Sequence, residues 1–125
     1  IARALLALLL PFGVNVHVYS AGVAEAVVRR EGVEPCGSLE ELFRESEILF
    51  ECEALTAATE GTVTAAALAA LPDGAIFVNV GRGRVVDEAA LVREAVTGRI
   101  RVAVDVLADN MSDTTELLRA PAWLM

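Results

Sequence analysis

The chain has 125 residues and a mass of 13.2 kDa, which is enough for one domain. Ten Lys and Arg stand against 18 Asp and Glu, a net charge of −8, and that field repels a polyanion and argues against general nucleic-acid binding. With 55% apolar and 22% charged residues and a mean hydropathy of +0.54, the chain is too apolar for disorder and calls for elements buried on both faces; at 5% aromatic content, the core falls to Ala, Val and Leu.

Residues 1–10 predict a helix, stopped by Pro11-Phe12-Gly13. Its run ALLALLL behind Arg3 has the outline of a signal-peptide core, is far short of the roughly 20 apolar residues a span needs, and reads better as a buried helix. Residues 14–19 (VNVHVY) are short and β-branched and predict a strand; residues 23–31 predict a helix. Ser38-Leu39-Glu40-Glu41 forms a capping box, Ser38 at N-cap and Glu41 at N3, opening a helix to about Arg44. Residues 48–50 predict a short strand. Thr64 caps an Ala-rich helix that ends at Leu71, before the turn Pro72-Asp73-Gly74. Residues 75–80 (AIFVNV) give the clearest strand, Asp87 caps the helix EAALVREAV, and residues 102–106 (VAVDV) predict another strand.

Strands alternating with helices predict an α/β fold of βαβ units, a mostly parallel sheet covered on both faces. Ligands of such sheets sit outside the carboxyl ends of the strands, which directs attention to the loops after Tyr19, Phe50, Val80 and Val106. Cys36 and Cys52 are too few for a disulfide framework and read as reduced thiols. The lone His17 leaves no zinc ligand set, so no metal is expected. After AIFVNV comes Gly81-Arg82-Gly83. Glycines there let the backbone approach a ligand closely, and the guanidinium holds a carboxylate or carbonyl in bidentate fashion. The competing reading is a surface turn with Asp87 as a helix cap and nothing more.

The wider segment 71–87, LPDGAIFVNVGRGRVVD, resembles the signature of the D-isomer-specific 2-hydroxyacid dehydrogenases. It carries a turn Gly, an apolar strand, Asn, any residue, a small residue, Arg-Gly, two apolar residues and Asp. The similarity runs through Ser38-Leu39-Glu40-Glu41-Leu42, Leu55-Thr56 and Thr59-Glu60-Gly61 to Val104-Asp105-Val106. It implies a Rossmann-type, doubly wound parallel sheet and an oxidoreductase passing hydride between NAD or NADP and a small D-2-hydroxyacid or 2-oxoacid. By the resemblance Arg82 is the catalytic arginine that binds the substrate carboxylate and polarises its C2 carbonyl. Asp105 hydrogen-bonds the nicotinamide carboxamide, Val80 and Gly81 pass their backbone beside the nicotinamide ribose, and Glu53 and Thr59 line the cofactor's other side. Ile1 opens the tail of the G-x-G-x-x-G fingerprint, with Ala2 in the third glycine's place. The resemblance also implies a homodimer; the reduced thiols suit a cytoplasmic protein, the acidic charge argues against a nucleic-acid partner, and the short apolar run against a membrane one.

Several positions depart from the family pattern. The first strand and the glycine turn are expected just before Ile1, so residues 1–125 read as an incomplete dinucleotide-binding domain without its substrate domain, inactive alone. Ser20 stands where NAD-preferring members carry Asp or Glu for the ribose hydroxyls. NADP therefore stays open beside NAD, with Arg29 and Arg30 the nearest cations and NAD slightly favoured. Cys52-Glu53-Ala54-Leu55-Thr56 replaces His-Cys-Pro-Leu-Thr; Cys52 reads as a buried structural thiol, and Glu53 brings an unhelpful charge toward the cofactor phosphates. Asn110 falls where the family places a Glu that pairs with the catalytic His, Met111 falls at the following Pro, and Asp109 is an alternative carboxylate. The catalytic His is expected beyond Met125, and His17 is no candidate. A non-catalytic dinucleotide-binding member acting through protein partners, corepressor-like, is the alternative function.

Overall fold

The computed structural model describes residues 1–108 and 123–124, and the chain divides into two compact units, Ile1–Leu42 and Phe43–Met125. The positions Asp109, Asn110 and Met111, on which the expected carboxylate partner falls, lie outside the described residues.

The first unit begins with α1, Ala2–Leu9, followed by a single 3₁₀ turn, Leu10–Phe12. Pro11 suits that first turn because its missing N–H has no helical partner there. Gly13 closes it at φ 67°, a left-handed conformation glycine adopts without a Cβ penalty. No residue of α1 is fully buried, in contrast to the buried helix expected from its composition. Strand β1, His17–Val18, pairs in parallel with β2, Glu34–Pro35, and α2, Glu25–Arg30, lies between them in sequence. Glu25 in the first turn of α2 and Arg29 and Arg30 in the last suit the helix dipole. Val28, Val33 and Cys36 are the buried side chains here.

Helix α3, Leu39–Glu45, opens as the capping box predicts: the Glu41 N–H donates to Ser38 Oγ at 3.1 Å. The Glu41 carboxylate reaches back one residue further than expected and accepts from the Gly37 N–H at 2.8 Å.

The second unit is built on four parallel strands in the order β3 (Ile48–Glu51), β4 (Ile76–Asn79), β5 (Arg101–Val104) and β6 (Trp123–Leu124). Helix α4, Ala65–Ala70, links β3 to β4, and α5, Glu88–Val96, links β4 to β5. Both helices start where their caps predict. Thr64 Oγ accepts from the Ala67 N–H at 3.3 Å and Asp87 Oδ1 from the Ala90 N–H at 2.9 Å.

The apolar runs were expected to be covered on both faces, but β3 alternates. Leu49 and Glu51 are buried while Ile48 is 55% exposed and Phe50 36%. Apolar composition places a strand in a sheet; it does not by itself place a layer on each side. The core expected from Ala, Val and Leu is also organised around two aromatics. Phe43 and Phe77 are fully buried with ring centroids 6.2 Å apart, and Leu68, Leu71, Val85 and Ile100 are fully buried as well. Few aromatics does not mean aromatics outside, because each ring fills more core than two alanines.

Candidate active site

Register places the carboxyl ends of three strands side by side: Glu51 pairs with Asn79, and Asn79 with Val104. The residues that follow each strand therefore meet. The Val80 N–H donates to the Glu51 carbonyl at 3.1 Å, and the Asp105 N–H to the Asn79 carbonyl at 3.2 Å. Glu53, Val80, Gly81, Arg82 and Asp105, all expected at the site, are brought to this one edge of the second unit.

Asn79 shapes the turn that carries Arg82. Its side chain is buried, and its Oδ1 accepts from the Gly81 N–H at 3.0 Å while its Nδ2 donates to the Arg82 carbonyl at 3.3 Å. Arg82 itself is extended, at φ −147°, and caps a 3₁₀ turn, Gly83–Val85. The residue is exposed, and its Nη1 donates to the Gly81 carbonyl at 2.7 Å.

The two glycines beside Arg82 were read as letting the backbone approach a ligand closely; within the protein they let it approach backbone. A Cβ on Gly81 would lie 2.8 Å from the Glu53 carbonyl oxygen, and one on Gly83 would overlap the Leu107 carbonyl and the Ala108 nitrogen. Neither glycine has a positive φ. The space is taken by the chain itself: the 52–53 peptide on one side and the 107–108 segment on the other hold the arginine loop between them. The Ala108 N–H also donates to Glu88 Oε2 at 2.9 Å, which ties that segment to the start of α5.

Burial pushes the Glu51 carboxyl above the usual carboxylate range, with the nearby Glu53 charge adding to it and a bond from the Glu53 N–H opposing it. Burial, helped by Glu51, likewise raises the Cys52 thiol. A thiol kept protonated is a poor nucleophile, consistent with a structural role, although Cys52 is half-buried rather than buried. Thr59 is committed locally. Its hydroxyl donates to the Ala54 carbonyl at 2.6 Å and accepts from the Thr56 N–H at 2.8 Å. The same loop is fastened to the arginine loop by the Arg84–Glu60 ion pair at 2.6 Å and by the Gly61 N–H donating to the Arg84 carbonyl at 3.0 Å.

Ile1 and Ser20 lie in the first unit. Ile1 is exposed at the N-cap of α1, where its carbonyl accepts from the Leu5 N–H at 3.1 Å. Ser20 follows β1 and lines a cavity of about 220 Å³ together with Val18, Gly22, Glu25, Pro35 and Cys36. Arg29, a cation expected near this place, is already engaged, at 3.6 Å from Glu25 and 2.5 Å from Glu34. His17 Nδ1 lies 4.0 Å from Cys36 Sγ. Among the described residues, no three His, Cys, Asp or Glu side chains group as a metal site, and no helix is long and apolar enough to cross a membrane.

The residues alone did not point to Glu51, named Asn79 only as a motif letter, and marked Gly83 without its packing against the 107–108 segment. The available signal was polar: a carboxylate and an amide each end an otherwise apolar strand.

Parallel strands linked through helices, with an Arg-Gly loop at their carboxyl ends, are the build of a Rossmann-type nucleotide-binding domain. The chain belongs to the family described as D-isomer specific 2-hydroxyacid dehydrogenase, NAD binding domain, whose model matches residues 1–125. It is 33% identical over 94 residues to a hydroxypyruvate reductase of Thermotoga maritima, covering 75% of this chain and 29% of that protein. A D-isomer specific 2-hydroxyacid dehydrogenase from Xanthobacter autotrophicus Py2 superposes with a TM-score of 0.83 at 32% identity, covering 98% of this chain and 41% of that one. A D-lactate dehydrogenase from Aquifex aeolicus, solved with NAD and lactic acid, shares the fold with a TM-score of 0.83 at 23% identity, covering 95% of this chain and 40% of that one.

Proposed function

We propose that these residues form the nicotinamide-facing part of an oxidoreductase that passes hydride between NAD and a small D-2-hydroxyacid or 2-oxoacid. One observation carries the reading: an exposed arginine, Arg82, is held between two neighbouring loops at the adjoining carboxyl ends of β3, β4 and β5. The nicotinamide supplies or accepts the hydride. Arg82 presents a planar cation that pairs with a substrate carboxylate and stabilises the C2 oxygen as it gains negative charge. Asp105 offers a carboxylate to the carboxamide, the Val80–Gly81 backbone lies beside the nicotinamide ribose, and Glu53 and Thr59 line the other side. Ile1 and Ser20 belong to the adenosine side. The donor set fits the cofactor: carboxylate, backbone and arginine meet at one edge.

NAD is favoured over NADP because the Ser20 cavity is lined by Glu25 and Arg29 is already shared by two carboxylates, so a 2′-phosphate meets negative charge. The family's small-acid dehydrogenases support a 2-oxoacid such as hydroxypyruvate or pyruvate as substrate, and a cytoplasmic homodimer as the working form. The test is NADH-dependent reduction of these acids by the protein as it occurs in the cell. Arg82→Ala should lower kcat/KM by about a thousandfold, and NADPH should serve worse than NADH. Equal rates for parent and Arg82→Ala would overturn the role of the arginine.

A further inference from the structure

Strand β3 is apolar until its last residue. Ile48-Leu49-Phe50 is followed by Glu51, whose side chain shares the buried face with Leu49 and is 7% exposed. A carboxylate in such a place is unfavourable unless it is hydrogen-bonded, and the partner is main chain: Glu51 Oε1 accepts from the Glu53 N–H. The peptide so held is the one that faces Gly81. A Cβ on Gly81 would lie 3.2 Å from the Glu53 nitrogen and 3.3 Å from the Cys52 carbonyl carbon. The main-chain carbonyl of Glu51 also accepts from the Val80 N–H at 3.1 Å. Glu51 thus meets the arginine loop twice, once through its own carbonyl and once through the peptide that its side chain orients. Any residue at the end of β3 supplies the first contact; only an acceptor side chain supplies the second.

We propose that Glu51 is a positioning residue for Arg82: its buried carboxylate fixes the Cys52–Glu53 peptide against Gly81 and so sets the path of the loop that presents the guanidinium. The inference deepens the proposed function and rests on it for what Arg82 does. It also accounts for a buried carboxylate in an otherwise apolar strand, where a leucine would pack at lower cost.

The test is the pair Glu51→Leu and Glu51→Gln. Leucine matches the apolar strand and removes the acceptor, whereas glutamine keeps an amide oxygen at the same reach. In amide-resolved spectra of the protein as it occurs in the cell, the Gly81 and Arg82 resonances should move in Glu51→Leu while those of α5 stay, and should return toward the parent positions in Glu51→Gln. Exchange of the Glu53 amide should quicken roughly tenfold in Glu51→Leu, the loss of one hydrogen bond. Unmoved Gly81 and Arg82 resonances in a folded Glu51→Leu overturn the proposal. Should that variant not fold, the Glu53 amide of the parent decides: protection supports the proposal, and exchange at the rate of a free peptide overturns it. These signals are read without cofactor, so failure of cofactor binding counts against the proposed function and not against this role.

Discussion

Gly83→Ala adds a methyl where the Leu107 carbonyl and Ala108 nitrogen already lie. It must displace backbone rather than a flexible side chain, so it should destabilise the chain by about 3 kcal/mol, the upper end for overpacking, read by denaturant unfolding. Arg82→Ala, one residue away, removes an exposed side chain and should change stability by less than about 0.5 kcal/mol. The contrast separates holding the loop from what the loop presents. Glu51 adds a pH signature. Its folded pKa is raised above the unfolded value by burial first, with Glu53 adding to it. The folded state then binds the extra proton, so Glu51 makes stability fall as pH rises from the ordinary glutamate range through the raised value. Glu51→Gln removes that titration. The variant's melting temperature should therefore gain on the parent's as pH rises above the ordinary glutamate range. A gap that stays flat with pH contradicts the assignment.

Arg99 shows how elements are joined. Its guanidinium donates to the Leu68 carbonyl at 2.7 Å and the Leu71 carbonyl at 2.6 Å, at the C-terminal end of α4, while Glu94 of α5 holds its Nε. A cation at a helix C-terminus satisfies carbonyls the helix cannot. Arg99→Ala should cost about 2 kcal/mol in denaturant unfolding, because two partly buried carbonyls lose a charged donor together. The sequence carried α4 and α5 clearly, since Thr64 and Asp87 are local caps for helices that start beside them. It also placed β3, β4 and β5, each built on an apolar run. Strand β2 was missed because Pro35 argues against a strand and only two residues pair, and that short partner is also why β1 is His17–Val18 and not six residues. At the site, Gly81 and Arg82 were legible because they follow an apolar strand, whereas Asp105, inside the expected strand 102–106, was marked only by the family resemblance. The role of Glu51 and the packing of Gly83 were not legible, because each acts on backbone brought alongside only by folding: the 52–53 turn at Gly81, and the 107–108 segment at Gly83.

As a whole molecule, the chain spans 29% of the Thermotoga maritima hydroxypyruvate reductase and 41% of the Xanthobacter autotrophicus dehydrogenase. In the proposed function the residues gathered at the ends of β3, β4 and β5 serve as a cation for an acid and a backbone for a nicotinamide, so the activity is tested on the protein that carries them. Fold alone does not fix that activity, since one fold serves catalytic and non-catalytic proteins alike. The most direct measurement is label transfer. NADH carrying deuterium at both C4 positions is incubated with pyruvate or hydroxypyruvate and the protein as it occurs in the cell, and the 2-hydroxyacid product is analysed. The account predicts deuterium at C2 of a D-configured product, with the signal lost in Arg82→Ala. An L-configured product, or NADH bound with no deuterium transferred, would contradict it.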